Sequence, residues 1–276
     1  APGLARALLG GLPQGPAPDL VIGVGRRAAP LVALAGRRWR CRTVQLLDPQ
    51  MPASAFDLVV APAHDGLSGP NVLTSLGSLG RVTPERIAAG AAAWSERIGA
   101  LPRPRLAVLI GGPGRMAAWR PGDAERLRAA LRALAEAGWT LLVTTSRRSD
   151  AALVAGLESD LASARHLLFT GAGPNPYPGM LGHAEAVLVT EDSVNMASEA
   201  ASSGLPLHVF RLPGAAAKAR AFHAALAARG IAREFAGEIG RWRYAPLAEA
   251  DRLAGEVESR LLPPAGPRHE GERFSA

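Results

Sequence analysis

An α/β fold in two Rossmann-like halves is predicted for this chain, and three observations carry that prediction. Short apolar runs of strand length alternate with longer segments whose apolar residues recur at helical spacing. Glycine-bearing polar turns succeed several of the strands, the pattern of βα units wound around a parallel sheet. A length of 276 residues, 48% of them hydrophobic, suffices for two ordinary cores, and Leu101-Pro-Arg-Pro-Arg105 supplies a proline-rich link between them.

The first half is assigned to residues 1–101. Its Ala- and Leu-rich opening, ending at Gly11, reads as a helix, and 19–24 is the first clear strand. Since an α/β domain ordinarily begins on a strand, this half is expected to be truncated at its amino end. Gly23-Val-Gly25 turns the chain into a helix over 26–40, and 43–47 and 56–61 are further strands. The last of these runs into Pro62-Ala-His-Asp65. Ligands gather at strand carboxyl ends in open α/β sheets, so His64 is the candidate base for an acceptor hydroxyl and Asp65 its orienting carboxylate. A plain loop tie through Asp65 is the competing role. Thr83-Pro84-Glu85 opens a helix with a capping hydroxyl and proline at its first position, and Ile87, Ala91, Trp94 and Ile98 mark its inner face.

The second half is assigned to residues 106–245. Its first strand, 106–110, runs into Gly111-Gly-Pro-Gly114, where Gly111 and Gly112 let backbone approach a ligand closely. An amphipathic helix over 123–137 turns Leu127, Leu131 and Leu134 inward before Gly138 stops it. Strand 140–143 ends in Thr144-Thr-Ser-Arg-Arg148, placing Thr145, Ser146 and Arg147 for contact with a phosphate. Strand 166–169 leads into Gly171-Ala-Gly-Pro-Asn-Pro-Tyr177, a loop whose Asn175 and Tyr177 are candidates for holding a nucleotide base, the tyrosine by stacking. The whole chain is organised around residues 187–206, in which the buried run 187–189 leads through a polar turn to a helix capped by Asp192 or Ser193 and stopped at Gly204-Leu-Pro206. Asp192, Met196 and Glu199 fall at i, i+4 and i+7, on one face near the free N–H groups of the first turn. Strand 206–210 and a helix over 214–229 come next, and Leu247, Ala250, Leu253, Val257 and Leu261 define a last helix over 246–262. The proline- and charge-rich residues 263–276 read as a disordered tail.

Composition narrows the class. A single cysteine, Cys41, excludes an internal disulfide framework. No apolar run approaches the roughly 20 residues of a membrane span, so a soluble, cytoplasmic protein is expected. The net charge of +7 is scattered over helices without an aromatic-interleaved basic strip, which argues against nucleic acid and for anionic ligands or membrane surfaces. Neither a Cys/His cluster nor an Asp-x-Asp motif offers a metal site. Of the 31 Lys and Arg residues only Lys218 is lysine. Under so complete a drift to arginine, a retained lysine suggests a site that takes a compact point charge, the competing reading being a chance survivor.

Asp192-Ser193, Met196, Glu199-Ala200 and Gly204-Leu-Pro206 resemble the nucleotide-sugar half-site of GT-B glycosyltransferases. Together with Gly23-Val-Gly-Arg-Arg27, Val44-Gln-Leu-Leu-Asp-Pro49, Phe56-Asp-Leu-Val-Val-Ala-Pro-Ala-His-Asp65, Gly69-Pro-Asn-Val72, Thr144-Thr-Ser-Arg-Arg148, Asn175-Pro-Tyr177, Lys218 and Phe222-His223, they resemble the mitochondrial fission "elongated mitochondria" family. The resemblance implies a GT-B type arrangement, a strand and polar loop ahead of this chain's start, and a last helix crossing back to the first half. It implies transfer of a sugar from a nucleoside-diphosphate donor, without metal or cofactor, to an acceptor that the sequence leaves open, a membrane-associated glycan or lipid being one candidate. Glu199 would hold the ribose, and helix N-termini with Lys218 would stabilise the departing diphosphate. Two other readings stay open: an adaptor that recruits a dynamin-related partner, and a nucleotide-sugar epimerase on the same fold.

Overall fold

The computed structural model describes residues 15–262. The amino-terminal helix and disordered tail expected from sequence lie outside that range. The chain divides into two units, Ala1–Ser75 with Glu249–Ala276 and Leu76–Ala248.

In the first unit, β1 (Leu20–Val24), β2 (Arg42–Leu46), β3 (Leu58–Pro62) and β4 (Val72–Ser75) form a parallel sheet in the order β1-β2-β3-β4. β3 is buried along its whole length, which is why it reads in sequence as a continuous apolar run rather than an alternation. Helix α1 (Ala29–Trp39) begins later than the predicted 26–40. Gly25, at φ +76°, first turns the chain and donates its N–H to Leu46 O at 2.8 Å. Ala29, Val32 and Ala33 then pack on Phe56 and Val59. β4 is not predicted from sequence, because four residues among glycines and serines carry no usable alternation. The last helix, Glu249–Leu261, belongs to this unit, where Arg252 donates to Thr74 O at 2.8 Å.

The second unit holds six parallel strands in the order β10-β9-β8-β5-β6-β7. They are β5 (Arg105–Ile110), β6 (Thr140–Thr145), β7 (His166–Phe169), β8 (Ala186–Thr190), β9 (Leu207–Phe210) and β10 (Ala232–Glu234). The chain leaves β5 toward β6 and β7, then returns to build β8, β9 and β10 on the other side. β5 and β8 are therefore neighbours whose connections run in opposite directions, which makes a topological switch point at their carboxyl ends.

The boundary expected at residues 101–105 lies instead at Ser75/Leu76, for three physical reasons. Helix α2 (Pro84–Ala93) lies so close to α5 (Tyr177–His183) that a Cβ on Gly90 would stand 2.6 Å from Pro178 Cβ and 2.7 Å from Gly179 N. Ile98 is fully buried with Met180 and Leu142, and Trp94 packs on that cluster. The buried Arg105 guanidinium spans Leu101 O and Gly99 O, fastening the proline-rich segment to β5. That segment is a packed corner, not a linker. Helix α3 (Asp123–Glu136) matches its prediction closely, whereas α4 (Ala151–Leu161), α5 and β10 are missed by it. Asp150 caps α4 by accepting from Ala152 N at 2.7 Å, a start signal that is legible in sequence. Helices α6 (Val194–Ala201) and α7 (Ala217–Ala228) complete the unit.

Candidate functional site

β5 and β8 are apolar runs that sheet pairing aligns as Leu106↔Ala186 through Leu109↔Val189. Their carboxyl ends therefore emerge side by side, and two polar turns meet there. Gly111 donates its N–H to Thr190 Oγ1 at 2.8 Å, and Gly112 donates its own to Asp192 Oδ2. Ser149, from the turn after β6, donates its hydroxyl to Gly111 O at 2.5 Å. The glycines are sterically required. A Cβ on Gly111 would sit 2.2 Å from Asp192 Oδ2, and one on Gly112 would sit 2.3 Å from the carbonyl carbon and oxygen of Arg148. Three strand ends are thus locked into one surface, and beside it opens a cavity of about 450 Å³ whose lining includes Gly112, Pro113, Trp119, Arg120, Ser149 and Asp150.

Asp192 is 3% exposed. Burial raises its carboxyl pKa, opposed by hydrogen bonding from Thr190 and the Gly112 N–H. The expected helix face carrying Asp192, Met196 and Glu199 is accordingly not formed, because Asp192 turns under the glycine turn before the helix begins. Ser193 is the cap of α6, accepting from Met196 N at 3.4 Å. Glu199 is half-buried further along α6. Its pKa too is raised by burial, against hydrogen bonds from Tyr177 and Asn195. Gly80 lies against it, with a hypothetical Cβ 3.0 Å from Glu199 Cγ.

Tyr177 is not an open stacking platform. It is the first residue of α5, partly buried, with its hydroxyl 3.5 Å from Met196 O, and burial together with the Glu199 charge pushes its pKa well up. Asn175 is exposed and accepts from Tyr177 N at 3.0 Å, which turns the chain into α5. Thr145 ends β6. Ser146 forms the turn after it, accepting from Arg148 N at 3.1 Å, and Arg147 is exposed there. Lys218 is exposed in the first turn of α7. The segment leading into α7 is tied to the loop beyond Gly114 by Ala118 N to Gly214 O at 3.1 Å and Ala216 N to Met116 O at 2.8 Å. His64 and Asp65 occupy the 3₁₀ turn Ala63–Asp65 at the carboxyl end of β3 in the first unit, both partly buried.

Sequence reasoning misses four contributors: Thr190, Ser149, Trp119 and the pair Glu191–Arg211. Glu191 is 1% exposed, bonded to Leu212 N at 2.8 Å and paired with Arg211. Its signal in sequence is a second carboxylate beside Asp192 at a strand end.

A doubly wound parallel unit with its switch point walled by glycine turns, together with a second parallel α/β unit, defines a GT-B type α/β protein. The same fold occurs in UDP-GlcNAc 2-epimerase from Methanocaldococcus jannaschii, with a TM-score of 0.57, 13% identity and coverage of 93% of this chain and 80% of that one. It occurs also in the Neisseria meningitidis UDP-GlcNAc 2-epimerase bound to UDP-GlcNAc, with a TM-score of 0.54, 11% identity and coverage of 95% and 73%. Identities this low establish the fold alone. The chain belongs to the mitochondrial fission ELM1 family, whose model matches residues 2–261. It is 28% identical to mitochondrial fission protein ELM1 of Arabidopsis thaliana over 246 residues, 79% of this chain and 57% of that protein's length. An uncharacterized Rickettsia prowazekii protein is 26% identical over 88% of this chain and 80% of its own length. Among the described residues no helix is long and apolar enough to cross a membrane.

Proposed function

We propose that the second unit binds a nucleoside diphosphate sugar at the β5/β8 switch point and that the protein transfers its sugar to an acceptor hydroxyl. The observation that carries this reading is the meeting of Gly111 and Gly112 with Thr190 and Asp192. The one turn after β5 is fixed by two side chains from the neighbouring strand end, at the place where doubly wound sheets take nucleotides. The α6 N-terminus at Ser193 supplies N–H groups for the diphosphate, and Glu199 accepts from the ribose hydroxyls. Thr145, Ser146, Arg147 and Lys218 offer hydroxyls and positive charge to the phosphates.

In the transfer, the acceptor oxygen forms a bond to the anomeric carbon while the bond from that carbon to the phosphate oxygen breaks. The electron pair leaves with the diphosphate, whose developing charge is met by helix N–H groups and Lys218 without a metal. The acceptor proton passes to a general base, a role for which His64 with Asp65 is the candidate in the first unit. A glycan or lipid at a membrane surface suits the net charge of +7 as acceptor. A second reading, an adaptor that recruits a dynamin-related partner, is favoured by membership of a family described by mitochondrial fission.

A thermal unfolding screen against nucleoside diphosphates and their sugars separates the two. At a hundred times its dissociation constant, a ligand of the native state adds about 2.7 kcal/mol of stability, a clear rise in Tm. No rise with any of them would favour the adaptor.

A further inference from the structure

A second cavity lies in the same unit, away from β5, where α7 passes over β9 and the edge strand β10. It encloses about 280 Å³ and is lined by Val209, the three arginines Arg211, Arg220 and Arg233, His223, the small residues Ala224, Ala227 and Ala232, and Glu234. The alanines on α7 and β10 contribute only short side chains to this lining. Each guanidinium is held by a different group. Arg211 pairs with the buried Glu191, Arg220 donates Nη1–H to Ala215 O, and Arg233 lies over the Trp242 ring at 4.3 Å.

Charge around this space does not balance. Glu191 is consumed by Arg211 and the Leu212 N–H. Among the described residues Glu234 is the one acidic residue of the lining, its side chain is 70% exposed, and its approach to Arg211 is a long 3.8 Å. With Arg211 neutralised by Glu191, the two remaining cations, Arg220 and Arg233, face only the loosely held Glu234, and a bound anion relieves the positive charge left over. Guanidinium forks match phosphate oxygens in pairs, and forks already anchored lose little freedom on binding.

We infer that this cavity is a binding site for a small phosphate-bearing molecule, separate from the β5/β8 switch point. The test is a titration of the whole chain with inorganic phosphate against sodium chloride at matched ionic strength, monitored by backbone amide and arginine Nε–H NMR signals. Saturable shifts are expected in residues 220–234. The double substitution Arg220→Gln with Arg233→Gln should weaken phosphate binding by about tenfold or more, the loss of at least one charge-assisted hydrogen bond. Ala227→Glu, which brings a carboxylate into the cavity on a helix-favouring residue, should abolish it. Response of Gly111 and Gly112 to UDP should be the same in wild type and variants, so failure of the nucleotide site reads out separately. Non-saturating shifts, shifts confined to Gly111–Gly114, or equal phosphate affinity in wild type and both variants would overturn the inference.

Discussion

The two parallel sheets differ in one topological respect that decides what each can bind. In the second unit the chain starts in mid-sheet at β5 and reverses, so two strand ends part and the turns beyond them leave a place for a ligand. In the first unit the strands lie in sequence order, β1-β2-β3-β4, and among the described residues no reversal occurs. The walls differ to match. At the switch point, backbone N–H groups of Gly111 and Gly112 are tied to buried side chains. At the end of β3, Gly66 closes a 3₁₀ turn at φ +74° with open space where a Cβ would stand. A glycine can therefore be kept for two reasons. One admits a neighbour's close approach, and the other admits only a backbone angle.

Substituting the switch-point glycines should have the strongest consequences. Gly112→Ala forces a Cβ onto the Arg148 main chain, which cannot swing away. It should cost about 1–3 kcal/mol, the usual penalty of overpacking, and remove nucleotide binding, as chemical denaturation and calorimetry would report. Gly114→Ala meets only the tip of the Arg148 side chain, at 2.5 Å from Nη1. It should stay within about 0.5 kcal/mol of wild type. Equal losses at both positions would show that the turn is not fixed by its backbone contacts.

Glu199→Gln has its effect on affinity rather than fold. The amide oxygen still accepts from Tyr177 and Asn195, so the melting temperature should hold. Loss of a charged acceptor should weaken nucleoside diphosphate binding about tenfold, at the low end of about 1.5–3 kcal/mol for a charge-assisted hydrogen bond.

A subtler effect distinguishes Asp192. Its pKa is raised above 3.8 by burial, so the folded state holds that proton more tightly than the unfolded chain. The associated stability is complete below about pH 3.8 and is lost as pH rises through the elevated folded value. Asp192→Asn removes this titration and keeps an acceptor for Gly112 N–H. The melting temperature of the variant should therefore fall less than that of wild type across that interval. Parallel curves would mean that Asp192 is solvated in the native protein.

Legibility in sequence tracks the range of the interactions. β5, β6, β8 and α3 are readable because their signals are local, namely apolar runs of strand length and a leucine stripe. That Gly111 and Gly112 admit a close approach after β5 is legible from residue type, but the sequence suggests a ligand there, whereas Asp192 and the Arg148 main chain are what come close. That Asp192 bonds Gly112 rather than sharing a face with Glu199 is not legible, since it depends on the pairing of β5 with β8 across 80 residues. The misplaced boundary has the same origin. Proline at 102 and 104 suggests a linker locally, while the contacts that anchor it come from Met180, Leu142 and the Arg105 side chain. Tyr177 looks like a loop aromatic because Pro176 and Pro178 flank it, yet proline is tolerated in a first helical turn.

Whether the β5/β8 switch point holds a nucleoside diphosphate is tested most directly by amide NMR during a titration with UDP. Saturable shifts are expected at Gly111 and Gly112 and through Ser193, Asn195 and Met196, with those of Gly23, Gly25 and Gly66 unmoved. Absence of any saturable shift in the second unit, or shifts confined to the first, would contradict nucleotide binding there.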